Sequence, residues 1–87
     1  MTETKQKLPK WFTGSLYTEG LIVENPFSKE EYELNNVELS MYDFLVGCAA
    51  LFEKSSSIVN NDMLRDYSKG IRWFRQNNPE AYMALLD

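Results

Sequence analysis

Eighty-seven residues suffice for one small domain, and an apolar share of 44% with 25% charged residues is the balance of a chain that folds rather than one that stays disordered. There is no histidine and a single cysteine, Cys48. Within one chain this excludes a disulfide, the usual zinc-ligand sets and any nucleophile–histidine relay. The net charge of −4 is unevenly spread: residues 1–18 carry +2, residues 19–53 carry −7 and residues 54–87 carry +1. An acidic middle repels a phosphate backbone, so a nucleic-acid role would have to use the two ends of the chain.

Residues 1–10 are polar and have no apolar period, which predicts a flexible tail ahead of a single domain over 11–87. No apolar segment follows them as in a secretory leader, and the longest apolar run, Phe44 to Phe52, is far too short to span a bilayer. No Asn-x-Ser/Thr sequon occurs, so a cytoplasmic protein without a membrane partner is expected.

Order should begin near Trp11 and Phe12. A strand can start at Leu16-Tyr17 and resume at Leu21-Ile22-Val23-Glu24, with Gly20 as a bulge between them. Asn25-Pro26-Phe27-Ser28-Lys29-Glu30 carries turn chemistry, and Glu31-Tyr32-Glu33-Leu34 alternates polar and apolar on the way back. Together these predict a β-hairpin with a six-residue loop. A lone hairpin is marginal in water, so a helix must cover its apolar face or another strand must pair with its edge.

Asn35 followed by Glu38 has the spacing of a capping box and starts a helix over 36–53. At about 100° per residue, Val37, Met41, Phe44, Leu45, Cys48, Leu51 and Phe52 lie on one face, and Leu39, Tyr42, Val46 and Ala49 lie opposite. A helix apolar on nearly every side must be covered on nearly every side. Ser40, Asp43, Gly47 and Ala50 form a line of mostly small residues between these faces. Because glycine in a helix costs about 1 kcal/mol relative to alanine, Gly47 suggests tight packing there.

Asn60 or Asn61 caps a second helix running to about Asn77, with Met63, Leu64, Tyr67, Ile71 and Phe74 on its apolar face. Asn78-Pro79-Glu80 then opens a short third helix to Leu86. The predicted class is α+β: an N-terminal hairpin on a small bundle of two longer helices and one short one. The runs Val23 to Ser28, Tyr32 to Leu34 and Glu38 to Phe44 resemble small uncharacterised proteins of marine bacteria and their tailed phages. The resemblance spans roughly residues 17–47 and implies a hairpin-plus-helix module without assigning any residue a role.

Four constellations need weighing. Cys48 lies deep in a helix with no cation nearby and reads as a buried small hydrophobe rather than a reactive thiol. Glu24, Glu30, Glu31 and Glu33 do not converge as strand alternation distributes them, so they read as a solvated hairpin surface that discourages edge pairing and not a metal site. Arg65, Lys69 and Arg72, with Trp73 beside them and the Lys5, Lys7, Lys10 tail, could contact phosphate, but Asp62 and Asp66 share their helix and a solvated face is the simpler reading. Trp11, Tyr42 and Trp73 are the aromatics suspected of facing a partner.

The chain therefore reads as non-catalytic and without a cofactor. Its leading role is a protein-interaction or structural module, as a homodimer or with another protein partner, through Leu39, Ser40, Tyr42, Asp43, Val46, Gly47 and Ala50. The alternative is a small regulator that contacts nucleic acid through Arg65, Lys69, Arg72 and Trp73.

Overall fold

The computed structural model describes residues 6–54 and 60–86. Two strands and three helices follow one another in the expected order: β1, Leu21–Glu24; β2, Glu31–Leu34; α1, Asn36–Lys54; α2, Asn61–Asn77; α3, Pro79–Leu85. The class is α+β, with an antiparallel hairpin and two long helices followed by a short one. The expected break at Ser55-Ser56-Ser57 and the basic residue Lys5 lie outside the described residues.

The hairpin pairs Leu21 with Leu34, Ile22 with Glu33, Val23 with Tyr32 and Glu24 with Glu31. Asn25 organises its loop, since its side-chain oxygen accepts from the Phe27 and Ser28 amides at 2.8 and 3.2 Å while its amide donates to the Ala84 carbonyl at 2.9 Å. A turn residue that satisfies its own loop thus also ties the hairpin to α3. Lys29, at φ 68°, turns the chain back toward β2. Leu16 and Tyr17 do not begin the strand. The Tyr17 main chain instead hooks onto α1, its N–H donating to Ser40 Oγ at 3.0 Å and its carbonyl accepting from Asn36 Nδ2 at 3.3 Å. Gly20 is not a bulge but a point of close approach, where a Cβ would collide with the Leu34 carbonyl oxygen.

Each helix starts where its sequence directs. In α1 the capping box is reciprocal: the Glu38 amide donates to Asn35 Oδ1 at 2.8 Å and the Asn35 amide to Glu38 Oε1 at 3.0 Å. Asn60 Oδ1 accepts from the Met63 amide at 2.9 Å to start α2, and Asn78 Oδ1 accepts from the Ala81 amide at 3.1 Å, with Pro79 behind it, to start α3.

The core is built from Leu34, Leu39, Met41, Leu45, Phe74, Ala81 and Leu85, all buried. Helix α2 runs back along α1, with Phe52 and Tyr67 edge to face at 5.2 Å. The two pack tightly at Gly70, where a Cβ would meet Leu45 Cδ2 at 2.7 Å and Met41 Sδ at 3.2 Å. Gly47, expected to mark tight packing, has nothing within 4 Å of such a Cβ. Leu64, assigned to the apolar face of α2, lies outside the core and is 46% exposed. Of the tail expected at 1–10, residues 6–10 lie against the domain: Gln6 bonds to Glu38 and Asn35, and the Lys7 carbonyl accepts from the Trp73 indole at 3.0 Å.

Candidate interaction surface

Helix α1 is covered unequally along its length. Glu38, Leu39, Ser40 and Met41 are consecutive and all buried, so its second turn is enclosed on every side. Beyond Leu45 the described residues cover only the side toward α2. Residues of the expected face accordingly divide into two groups. Leu39, at 5% exposure, belongs to this chain's own core, and Ser40, at 1%, is occupied by the Tyr17 amide and by its bond to the Asn36 carbonyl. Both leave the candidate surface. Tyr42 is half-buried and packs against the core, and that burial raises its phenol above the ordinary tyrosine value. Asp43, Val46, Gly47 and Ala50 remain exposed, and Leu51, next to them on the helix, is exposed as well. At helical spacing these five form one continuous arc over the last half of α1.

The arc borders an open groove of about 540 Å³ between α1, the start of α2 and residues 13–15. Phe44, Cys48, Leu51 and Met63 supply its apolar lining, and Asp43, Asp62 and Asp66 supply carboxylates. Gly47 is one of the residues that line it, and the space beside its Cα is open. Cys48 also lines it, but burial, and next to it the charge of Asp66, push the thiol above its ordinary value. A thiol held protonated is a poor nucleophile. Among the described residues no three His, Cys, Asp or Glu side chains converge as metal ligands.

The basic stripe has a different fate. Arg65 is paired with Asp62 at 3.1 Å in an exposed ion pair of little energetic weight. Lys69 and Arg72 border a shallow recess with Trp11 and Trp73. Trp73 is half-buried: its N–H holds the Lys7 carbonyl and its ring meets Phe74 with centroids 6.3 Å apart. Trp11 packs on Phe44, with centroids 6.0 Å apart. The aromatics suspected of facing a partner are thus engaged inside the chain, because a small domain reaches a sufficient core only by using its largest side chains. Arg75 sits over the Tyr82 ring, 5.4 Å from its centroid.

A buried polar cluster was not legible in the sequence. Glu38, 5% exposed, accepts from Gln6 Nε2 at 2.8 Å and Asn78 Nδ2 at 2.9 Å on Oε2, in addition to the Asn35 amide on Oε1. Only the last of these bonds follows from local spacing. The cluster ties the N-terminal segment, the start of α1 and the start of α3 to one carboxylate, and it reads as structural.

Comparison with known proteins gives no match to a protein family, to a curated protein or to a solved structure. No residue role therefore reaches this chain from a relative. Among the described residues no helix is long and apolar enough to cross a membrane.

Proposed function

We propose that this chain is a non-catalytic protein-interaction module that self-associates through the exposed half of α1. The observation that carries the reading is the arc itself: Val46 at 44% and Leu51 at 40% exposure flank Gly47, a helical glycine with no described residue packed against it. A glycine kept in a helix interior at a cost of about 1 kcal/mol, between two exposed apolar side chains, suits the close approach of a second helix. In a twofold arrangement each copy would cover the other's Val46, Ala50 and Leu51. Covering a valine or leucine side chain contributes about 1.5–3 kcal/mol when burial is complete, and here burial starts half-finished. Four such side chains in a dimer give a gross gain that ordering and lost freedom reduce to a modest affinity.

The test is solution mass by light scattering after size exclusion, over a dilution series. A dimer of the 10.2 kDa chain that Val46→Glu converts to a monomer, with the helical circular dichroism unchanged, supports the reading. A monomer at every concentration removes self-association.

The nucleic-acid alternative is less well supported, since Asp62 and Asp66 share the helix of the basic stripe and the acidic middle of the chain repels phosphate. Binding to nucleic acid that falls steeply with salt and is lost when Arg65, Lys69 and Arg72 are all changed to alanine would reinstate it.

A further inference from the structure

The hairpin presents a second surface, away from the exposed arc of α1. In an antiparallel pair, residues alternately turn their main-chain groups toward and away from the neighbouring strand. The Asn25 amide donates to the Glu30 carbonyl at 2.8 Å, which places Val23 opposite Tyr32 and Leu21 opposite Leu34 at hydrogen-bonded positions. The N–H and C=O of Ile22 and of Glu24 therefore point away from β2. The sheet has two strands, and among the described residues no group bonds to these four.

Side chains on both faces of β1 agree with an unfinished edge. Leu34 is fully buried beneath the helices, whereas Leu21, its cross-strand partner on the same face, is 59% exposed. The inner face of β1 is thus covered at Val23, which packs against the core, and left open at Leu21. On the opposite face Ile22 is 60% exposed and is surrounded by Glu24, Glu31 and Glu33. Glu24 and Glu31 stand directly opposite one another, an unfavourable like-charge pair, and the only ion pair among the described residues is elsewhere, between Arg65 and Asp62. Of the devices that guard natural edges, β1 has a short length of four residues and the charge of Glu24 but no lysine, proline or bulge, so its guard acts against another acidic strand and not against a basic one.

We infer that the outer edge of β1 is a strand-addition site for an extended segment of a partner protein that alternates apolar and basic residues. Its main chain would bond to Ile22 and Glu24, its apolar side chains would continue the inner face beside Leu21 and Val23, and its lysines or arginines would lie on the outer face beside the glutamates. Charge selects this occupant over a second copy, since pairing β1 with itself adds a second set of glutamates to the same face.

The probe is a short, capped, fluorescently labelled peptide of alternating valine and lysine, titrated at low salt and read by anisotropy. A matched peptide carries N-methyl groups on the edge-facing amides, and a third alternates valine and glutamate. The valine–lysine peptide should bind, the valine–glutamate peptide should not, and N-methylation should weaken binding by about tenfold or more, equivalent to about 1.4 kcal/mol. Ile22→Pro removes an outward N–H without breaking a bond to β2 and should weaken binding at least to the same extent, as should Glu24→Lys combined with Glu33→Lys. No binding, or equal binding of the N-methylated peptide, overturns the inference, and that comparison needs no variant to fold. A dimer of the unmodified chain that Ile22→Pro dissolves would assign the edge to a second copy and overturn the basic partner.

Discussion

Glu38→Gln tests the structural account most sharply, because it changes one atom's chemistry and almost nothing of shape. All three groups that reach the Glu38 carboxylate are donors: Gln6 Nε2 and Asn78 Nδ2 on one oxygen and the Asn35 amide on the other. A glutamine has one acceptor oxygen and one NH2, so it can serve one side of the cluster only. Its least costly orientation keeps Gln6 and Asn78 on the amide oxygen and turns the NH2 toward the Asn35 N–H. One buried bond is then lost outright, at about 1–3 kcal/mol, and the two survivors fall from charge-assisted to neutral strength. The helix N-terminus also loses its anion, at about 0.3–1 kcal/mol. The total loss is about 2–4 kcal/mol, a large part of the roughly 4–13 kcal/mol expected for a chain of this length. Urea unfolding followed by far-ultraviolet circular dichroism should show the midpoint falling by about 1–2 M at unchanged slope. A loss below about 0.5 kcal/mol, the size of an ordinary surface substitution, would refute the claim that this carboxylate holds the N-terminal segment, α1 and α3 together.

The two glycines of the helix pair should respond to alanine with opposite signs. Gly47→Ala, with open space around it, should stabilise the single chain by up to about 1 kcal/mol, whereas Gly70→Ala should destabilise it, since pushing on the buried Leu45 and Met41 side chains costs about 1–3 kcal/mol against the same gain in propensity. Thermal unfolding of both variants at a concentration where the chain is monomeric checks this, and equal responses would contradict the placement of the helix contact. Asn25→Ala removes the acceptor for two loop amides and the donor to Ala84, and a loss of about 2 kcal/mol in the same assay is expected. Cys48 should alkylate much more slowly in the native protein than in urea. Its folded value lies above its unfolded one, so its contribution to stability is full below the unfolded thiol value, about 8.5, and is lost as pH rises toward the folded value. Cys48→Ala should flatten that decline relative to the parent, and an identical decline in both proteins would show that the thiol does not contribute to it.

What the sequence determined by itself was everything that depends on neighbours a few residues apart. Asn35 with Glu38, Asn60 with Met63, and Asn78 with Pro79 and Ala81 start their helices through bonds that close within three positions, and Asn25 closes its loop in the same way. The two strands at Leu21–Glu24 and Glu31–Leu34 and the three helices lie where period and turn chemistry place them, because those signals are local, whereas Leu16-Tyr17 and Gly20 took their roles from contacts with α1 and Leu34. Tertiary structure decided which apolar surface was left over. By periodicity Leu39 and Val46 share a face, yet the Tyr17 segment and the core enclose α1 at Leu39 and Ser40 and leave Val46 exposed, since the covering material ends partway along the helix. It also decided which glycine mattered. Periodicity cannot distinguish Gly47 from Gly70: each is a gap in a helix, and whether the gap is filled depends on where the other helix crosses. For the same reason Glu38 was legible as a cap and not as the acceptor for Gln6 and Asn78, partners 32 and 40 residues away in the chain that only folding brings to one carboxylate.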